Sequence, residues 1–187
     1  VIWRDKSCLP KDMSFSVNYL GAEVTQVGLN FSRPASQILG QYYNFIRLGR
    51  EGYHNIQHNS MEIARYSHRR IGHMECFENY ADEVVNPLFV WSLSEKYTKS
   101  ARWTLYDLQD RLKQNGWMVP AYTLPKDIDD IVVLRIVVRQ GMSRDMADML
   151  LTDIESAVAE LDRLEYPTPS RLQWERQERQ LGRVFTH

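Results

Sequence analysis

The chain has 187 residues, 23 Lys and Arg against 24 Asp and Glu, a net charge of −1, 43% hydrophobic and 25% charged residues. That length holds one large domain, or one domain with part of another, and buries an ordinary core without covalent staples. The near balance of charge gives no argument for nucleic acid or an acidic membrane surface as a partner.

Cys8 and Cys76 lie far apart with no metal-ligand spacing and read as free thiols in a reducing compartment. No apolar run is long enough to span a bilayer and no signal peptide opens the chain, so the cytoplasm is the expected location. The chain opens directly on the β-type run Val1-Ile2-Trp3 with no initiator Met, which reads as a fragment starting inside a strand.

In chain order, residues 1–4 read as a strand that ends before Pro10. Phe15 to Leu20 alternates and meets Gly21, and Val24 to Phe31 reads as the returning arm of a hairpin. Asn30-Phe31-Ser32-Arg33-Pro34 reads as a helix start, with Ser32 or Asn30 as cap and proline early in the helix. From Pro34 to about Arg70 the pattern is helical, with Ile38, Tyr42, Phe45, Ile46 and Leu48 as its apolar stripe and Gly49 and Gly52 as places for a bend. So long a helix suits a link between two domains.

Residues 74–80 and Leu88 to Leu93 read as strands around a turn at Asn86-Pro87. Thr104-Leu105-Tyr106-Asp107 carries the hydroxyl-x-x-acid pattern of a helix start, and Asn115-Gly116 is a helix stop. Trp117 to Leu124 reads as a strand, followed by a turn at Pro125-Lys126-Asp127. Ile131 to Val138 is the clearest strand in the chain. Ser143 caps a helix running to about Leu164, with Met146, Met149, Leu150, Ile154, Val158 and Leu161 on one face and the two methionines read as core. Pro167 and Pro169 end it, and Ser170 to His187 is a highly charged tail. The predicted class is therefore α+β: an antiparallel sheet with helices on one face, preceded by trailing strands of a different domain. The division falls at 1–60 and 61–187, the first part holding the remnant strands and the start of the linking helix.

Arg135 does not fit its surroundings. It sits within Ile131-Val132-Val133-Leu134-Arg135-Ile136-Val137-Val138, apolar on both sides of the alternation. An unpaired buried charge is very costly, so the guanidinium needs an anion or a route to water. Its planar fork suits a carboxylate or phosphate held by two parallel hydrogen bonds. Three readings are open at this point: a grip on a substrate carboxylate, an internal ion pair, or a strand end that reaches solvent. His54 and His58 stand four apart on the long helix, but no third ligand accompanies them, and a solvated surface is the expectation. The same is expected of His68 and His73. No metal site, nucleophile elbow, phosphate loop or dinucleotide fingerprint is found in the sequence.

Several segments together resemble the glutamate decarboxylase family, a group II branch of the pyridoxal-phosphate-dependent decarboxylases. They are Val1-Ile2-Trp3-Arg4-Asp5, Asn18-Tyr19-Leu20-Gly21, Asn30-Phe31-Ser32-Arg33-Pro34-Ala35, Gln41-Tyr42-Tyr43, Arg47-Leu48-Gly49-Arg50-Glu51-Gly52-Tyr53, Thr104 to Leu108, Gly116 to Ala121 and Asp130 to Ile136, in the family's order. The resemblance implies the C-terminal small domain of a fold-type-I pyridoxal-phosphate enzyme, with the end of its large domain before it. The implied reaction takes L-glutamate to 4-aminobutanoate and carbon dioxide. It also implies that Arg135 grips the substrate's α-carboxylate, that Ser32 contacts the cofactor phosphate of a neighbouring subunit, and that Tyr19 and Leu20 project toward the partner's active site. A homo-oligomer, at least a dimer, follows from those shared sites. His187, in Phe185-x-His187, is similar to the tail histidine of bacterial members that closes over the site. Plant members carry a calmodulin-binding tail; Trp174 with Arg171, Arg176, Arg179 and Arg183 echoes it, but Glu175 and Glu178 dilute the charge and argue against calmodulin as a partner.

The lysines are Lys6, Lys11, Lys96, Lys99, Lys113 and Lys126, and none stands in the Ser-x-His-Lys context where the family places its Schiff-base lysine. That motif is expected before Val1, so no catalytic residue is assigned in this chain and the isolated chain is expected to be inactive. The alternatives are the same region of another group II decarboxylase, or a non-catalytic truncated paralogue that acts in assembly.

Overall fold

The computed structural model describes residues 4–5, 14–17, 24–27, 34–125, 128 and 130–184, without the side chains of 14–17, 24–27 and 177–184. Ser32, Tyr19, Leu20, His187 and Cys8 lie outside the described residues, as do residues 1–3 of the first predicted strand, whose Arg4 and Asp5 form a bend. The hairpin is present in its inner part. Strands β1 (Ser14–Val17) and β2 (Val24–Val27) pair antiparallel, Ser14 opposite Val27 and Val17 opposite Val24.

Helix α1 spans Ser36–Gly72, with Ala35 at its N-cap rather than Ser32 or Asn30, and Pro34 just before it. It is broken at Gly49, whose φ of 57° and ψ of −168° belong to a region that only glycine visits cheaply. Gly52, the other expected bend, is helical. The break separates two unlike arms. Residues 36–48 leave Ile38, Leu39, Tyr42, Tyr43, Phe45 and Ile46 exposed, whereas residues 50–72 bury Ile63, Ala64 and Ile71.

The remaining elements are β3 (Phe77–Asn79), β4 (Leu88–Leu93), α2 (Glu95–Ser100), α3 (Leu105–Gln114), β5 (Ala121–Thr123), β6 (Val132–Val137), α4 (Arg144–Asp162) and α5 (Pro169–Val184). The four strands form one antiparallel sheet in the order β3-β4-β6-β5. Two helix starts follow the sequence signals. Thr104 and Asp107 close a capping box, and Ser143 Oγ accepts a hydrogen bond from the Met146 amide. Each replaces an orphan donor of a first turn with a bonded one, for about 1 kcal/mol.

One face of the sheet makes the core. Phe77, Phe89, Trp91, Ala121, Leu134 and Ile136 point to it, and α1, α3 and α4 cover it with Ile63, Ile71, Leu108, Leu112, Leu151 and Ile154. The prediction of an α+β unit with helices on one face therefore agrees with the structure. Two expectations do not. Met146 and Met149 are 41% and 60% exposed, because Ala147, Leu150, Leu151, Ile154, Ala157 and Leu161 turn the buried face of α4 away from them. His68 is buried, not solvated: a ring nitrogen lies 2.8 Å from the Ala81 carbonyl and its ring meets Phe89 edge-on. The charged tail is helical through Val184, with Pro169 as its first residue, where a missing N–H costs nothing. His54, His58 and His73 are exposed as expected.

Candidate functional site

The register of β6 explains how Arg135 is accommodated. Along a strand successive side chains alternate, so Leu134 and Ile136 face the core while Val133, Arg135 and Val137 face the opposite side. That opposite face carries Val90, directly across from Arg135, and Leu88, across from Val137, together with Tyr122, across from Val133. Val137 is 46% exposed and Arg135 is half-buried. The expectation of a strand buried on both faces thus holds only at Val133; the sheet has an open side, and the guanidinium lies on it.

A cleft of about 670 Å³ opens where β5 leaves β6. The Arg135 amide donates to the Pro120 carbonyl at 3.3 Å, and the strand pairing does not continue beyond it because Pro120 has no N–H to return. The uncovered edge from Arg135 to Val137 and then Arg139 becomes one wall. Helix α3 supplies Gln109 and Lys113, and the connection to β5 supplies Trp117 and Val119. The position of this connection follows from the helix stop. Gly116 has φ of 87°, and its amide and that of Trp117 return to the carbonyls of Lys113 and Leu112 at 3.0 Å each. Gln109 Oε1 accepts from the Ala121 amide at 2.6 Å, and the Trp117 indole donates to Asp153 at 2.6 Å, tying both walls to the fold.

Among the described residues, Lys113, Arg135 and Arg139 line this cleft and no Asp or Glu does. A concave wall carrying three cations favours an anionic ligand. Arg135 is further held over the ring of Tyr122, its Cζ 5.4 Å from the ring centre. Lys113, Arg139, Gln109 and Tyr122 were not singled out in the sequence. Isolated cations and a tyrosine carry no local signature; the pairing of β5 with β6 brings Tyr122 to Arg135, and the packing of α3 on the sheet brings Gln109 and Lys113 to the same cleft.

The rest of the molecule offers little further chemistry among the described residues. Burial pushes the Cys76 thiol up to about 12, which keeps it protonated and inert as a nucleophile. No three His, Cys, Asp or Glu side chains gather where a metal ion would sit. No described helix is long and apolar enough to cross a membrane. Of the described lysines, Lys96 and Lys99 are exposed on α2 and face Glu75 and Glu95, while Lys113 is exposed at the cleft. With no carboxylate on the cleft wall to pair with a pyridinium nitrogen and no enclosed lysine, the described residues do not form a seat for pyridoxal phosphate.

Comparison with known proteins places these features in context. The family model described as the pyridoxal-dependent decarboxylase conserved domain matches residues 1–94. A protein named glutamate decarboxylase beta from Listeria innocua is 40% identical over 87% of this chain and 34% of its own length. One named glutamate decarboxylase from Aliivibrio fischeri is 44% identical over 84% of this chain and 34% of its own. The solved structure of a Lactobacillus brevis glutamate decarboxylase superposes with a TM-score of 0.67 at 42% identity, covering 87% of this chain and 36% of that one. The chain thus spans about a third of the length of the curated relatives it matches.

Proposed function

Because the chain belongs to the pyridoxal-dependent decarboxylase family, we propose that it is the C-terminal part of an enzyme that converts L-glutamate to 4-aminobutanoate and carbon dioxide with pyridoxal phosphate, and that Arg135 binds the substrate's α-carboxylate. The observation that carries the proposal is the position of Arg135 on the open side of β6, at the wall of a cleft that Lys113 and Arg139 also line. The resemblance in name and sequence to relatives called glutamate decarboxylases supports the choice of substrate.

What these residues do is bind and orient. The in-plane N–H groups of a guanidinium match both oxygens of a carboxylate, and this fixes the rotation of the carboxylate as well as its position. Lys113 and Arg139 raise the local concentration of anionic substrate. The electron-accepting chemistry belongs to the cofactor, and we place its seat in the part of the family's length that this chain does not span. Division at 1–60 and 61–187, with α1 running across it, fits a link between such a part and the sheet domain. Ser32 as a contact to a neighbouring subunit's cofactor phosphate, Tyr19 and Leu20 as a loop reaching the partner's site, His187 as a closing tail, a homodimer or larger oligomer, and a cytoplasmic location complete the proposal. Calmodulin is left out of it. Arg171, a cation of the helical tail, is 6% exposed and donates to Glu175, to the Thr98 carbonyl at 2.7 Å and to the Lys99 carbonyl, with its guanidinium over Trp174. A basic residue used in this way is not offered to an acidic partner.

Two assays test the proposal. Mixed with pyridoxal phosphate and glutamate, the 187-residue chain should give neither a new cofactor absorbance band nor 4-aminobutanoate. Grafted in place of the matching third of the Lactobacillus brevis enzyme, the same segment should support decarboxylation, and Arg135→Ala in that graft should lower kcat/KM by about a hundredfold or more, the loss of one buried charged pair. A graft in which Arg135→Ala is as active as its parent would refute the carboxylate role.

A further inference from the structure

The second arm of α1 carries a pair of side chains that the candidate site does not use. His54 and His58 stand four residues apart, the spacing that brings two side chains to one face of a helix. Their rings lie parallel, with an interplanar angle of 3° and centres 6.0 Å apart. Both residues are exposed, and apart from this stacking neither ring has a partner among the described residues. Glu51 and Glu62 continue the same stripe, one turn before and one turn after the pair. Glu62 is held by Arg65 at 3.0 Å, and among the described residues no third such group converges on the two rings.

We propose that His54 and His58 form a chelating site for a borderline divalent transition-metal ion, the class of Zn2+, Ni2+ and Cu2+. The distance between the rings suits it. An ion about 2.1 Å from one nitrogen of each ring, at a near-tetrahedral angle, places the ring centres about 5 Å apart. The pair therefore stands about 1 Å from closure, which a small rotation of two exposed side chains covers without moving the backbone. The ligand type selects the ion. Imidazole nitrogen suits zinc, nickel and copper, whereas Mg2+ and Ca2+ take oxygen ligands. With two protein ligands the remaining positions go to water, so the site is open and exchangeable, unlike a closed four-ligand structural site. Its place on the helix gives it a consequence. The pair follows closely on the break at Gly49, where the second arm begins and where a helix end is prone to fray. An ion that ties one residue to the residue a turn later holds that turn closed. It stiffens the arm beside the break, and neither histidine lines the Arg135 cleft.

The test titrates Zn2+ into the 187-residue chain, labelled with nitrogen-15 and free of any affinity tag, and reads the imidazole resonances in neutral buffer. The signals of His54 and His58 should move together at a single affinity. His54→Ala or His58→Ala should weaken that binding about tenfold or more, because a chelate loses one of its two ligands. His73→Ala, at an exposed histidine outside the pair, should leave it unchanged. The decisive variant combines His58→Ala with Asn59→His. It keeps the number of histidines but sets the two five residues apart, off the common face, and should bind as weakly as His58→Ala alone. The substituted positions are all exposed, so these changes leave the fold in place. Mg2+ at the same concentration should move neither ring. Movement of one ring alone, or of neither, would overturn the proposal. So would an affinity that survives either single substitution, a five-apart variant that binds like the parent, or an equal response to Mg2+.

Discussion

The two faces of the four-stranded sheet carry residues of nearly the same kind and put them to different uses. Toward the helices stand Phe89, Trp91, Leu134 and Ile136, all buried and packed against α1, α3 and α4. Away from them stand Leu88, Val90, Val137 and Val133, of which Leu88 and Val137 are exposed, with Arg135 and Tyr122 between. A valine on the second face is therefore no sign of a core. The open face holds a charge because water or a ligand can reach it, and the closed face could not hold one. The first arm of α1 repeats the lesson. Its apolar stripe is as regular as that of the second arm, yet six of its large side chains remain exposed after Gly49 turns the chain.

This contrast can be broken at its strongest point. Leu134→Ala on the closed face removes a fully buried side chain and should cost about 3 kcal/mol, within the range for leucine-to-alanine changes in cores. Denaturant unfolding of the chain measures it, and a cost near zero would mean that the closed face is not the core. Next comes the behaviour of Cys76, buried in the core just before β3. Burial raises its folded pKa to about 12 from an ordinary thiol near 9. Between these values the unfolded thiol loses its proton while the folded one keeps it, so stability falls as pH rises from about 9 to 12. Stability curves taken across that window should slope less steeply for Cys76→Ala than for the parent, and below pH 8 the two slopes should coincide. The smallest effect belongs to the open face. Val137→Ala should change stability by no more than about 0.5 kcal/mol, the usual range for exposed substitutions. A larger loss would show that something covers this face in solution.

Helix starts and stops were legible in the sequence because they are local. Thr104 with Asp107, Ser143 and Gly116 each satisfy backbone groups within a few residues of themselves, and each acts where its pattern pointed. Helix α2 was missed for a related reason. It is six residues long, buries no residue completely and is supported by the Glu95–Lys99 ion pair, so it has no apolar period to read. The helical tail escaped notice because its anchor is a charged residue: Arg171 is buried by bonding to the carbonyls of Thr98 and Lys99, more than seventy residues away. The methionines of α4 were assigned inward because they keep helical spacing with the leucines, but the core stripe runs through Ala147, Leu150 and Leu151 instead.

For the candidate site the division is similar. The sequence by itself marked Arg135, since a guanidinium inside an apolar strand demands a partner or solvent, and the family likeness of the surrounding segments supplied a role for it. The sequence also determined β6, the caps at Thr104 and Ser143 and the helix stop at Gly116, all of which depend on neighbours along the chain, whereas the strand expected over Trp117 to Leu124 is confined to Ala121–Thr123. Only the tertiary structure decided which side of β6 is open, where β5 leaves its edge, that Tyr122 stands beside the Arg135 guanidinium, and that Lys113 and Arg139 line the same cleft. These are matters of strand register and of which face the helices cover. Both are settled by the cheapest way to bury apolar surface across the whole sheet, and a one-residue change of register would have turned every one of these side chains to the other face.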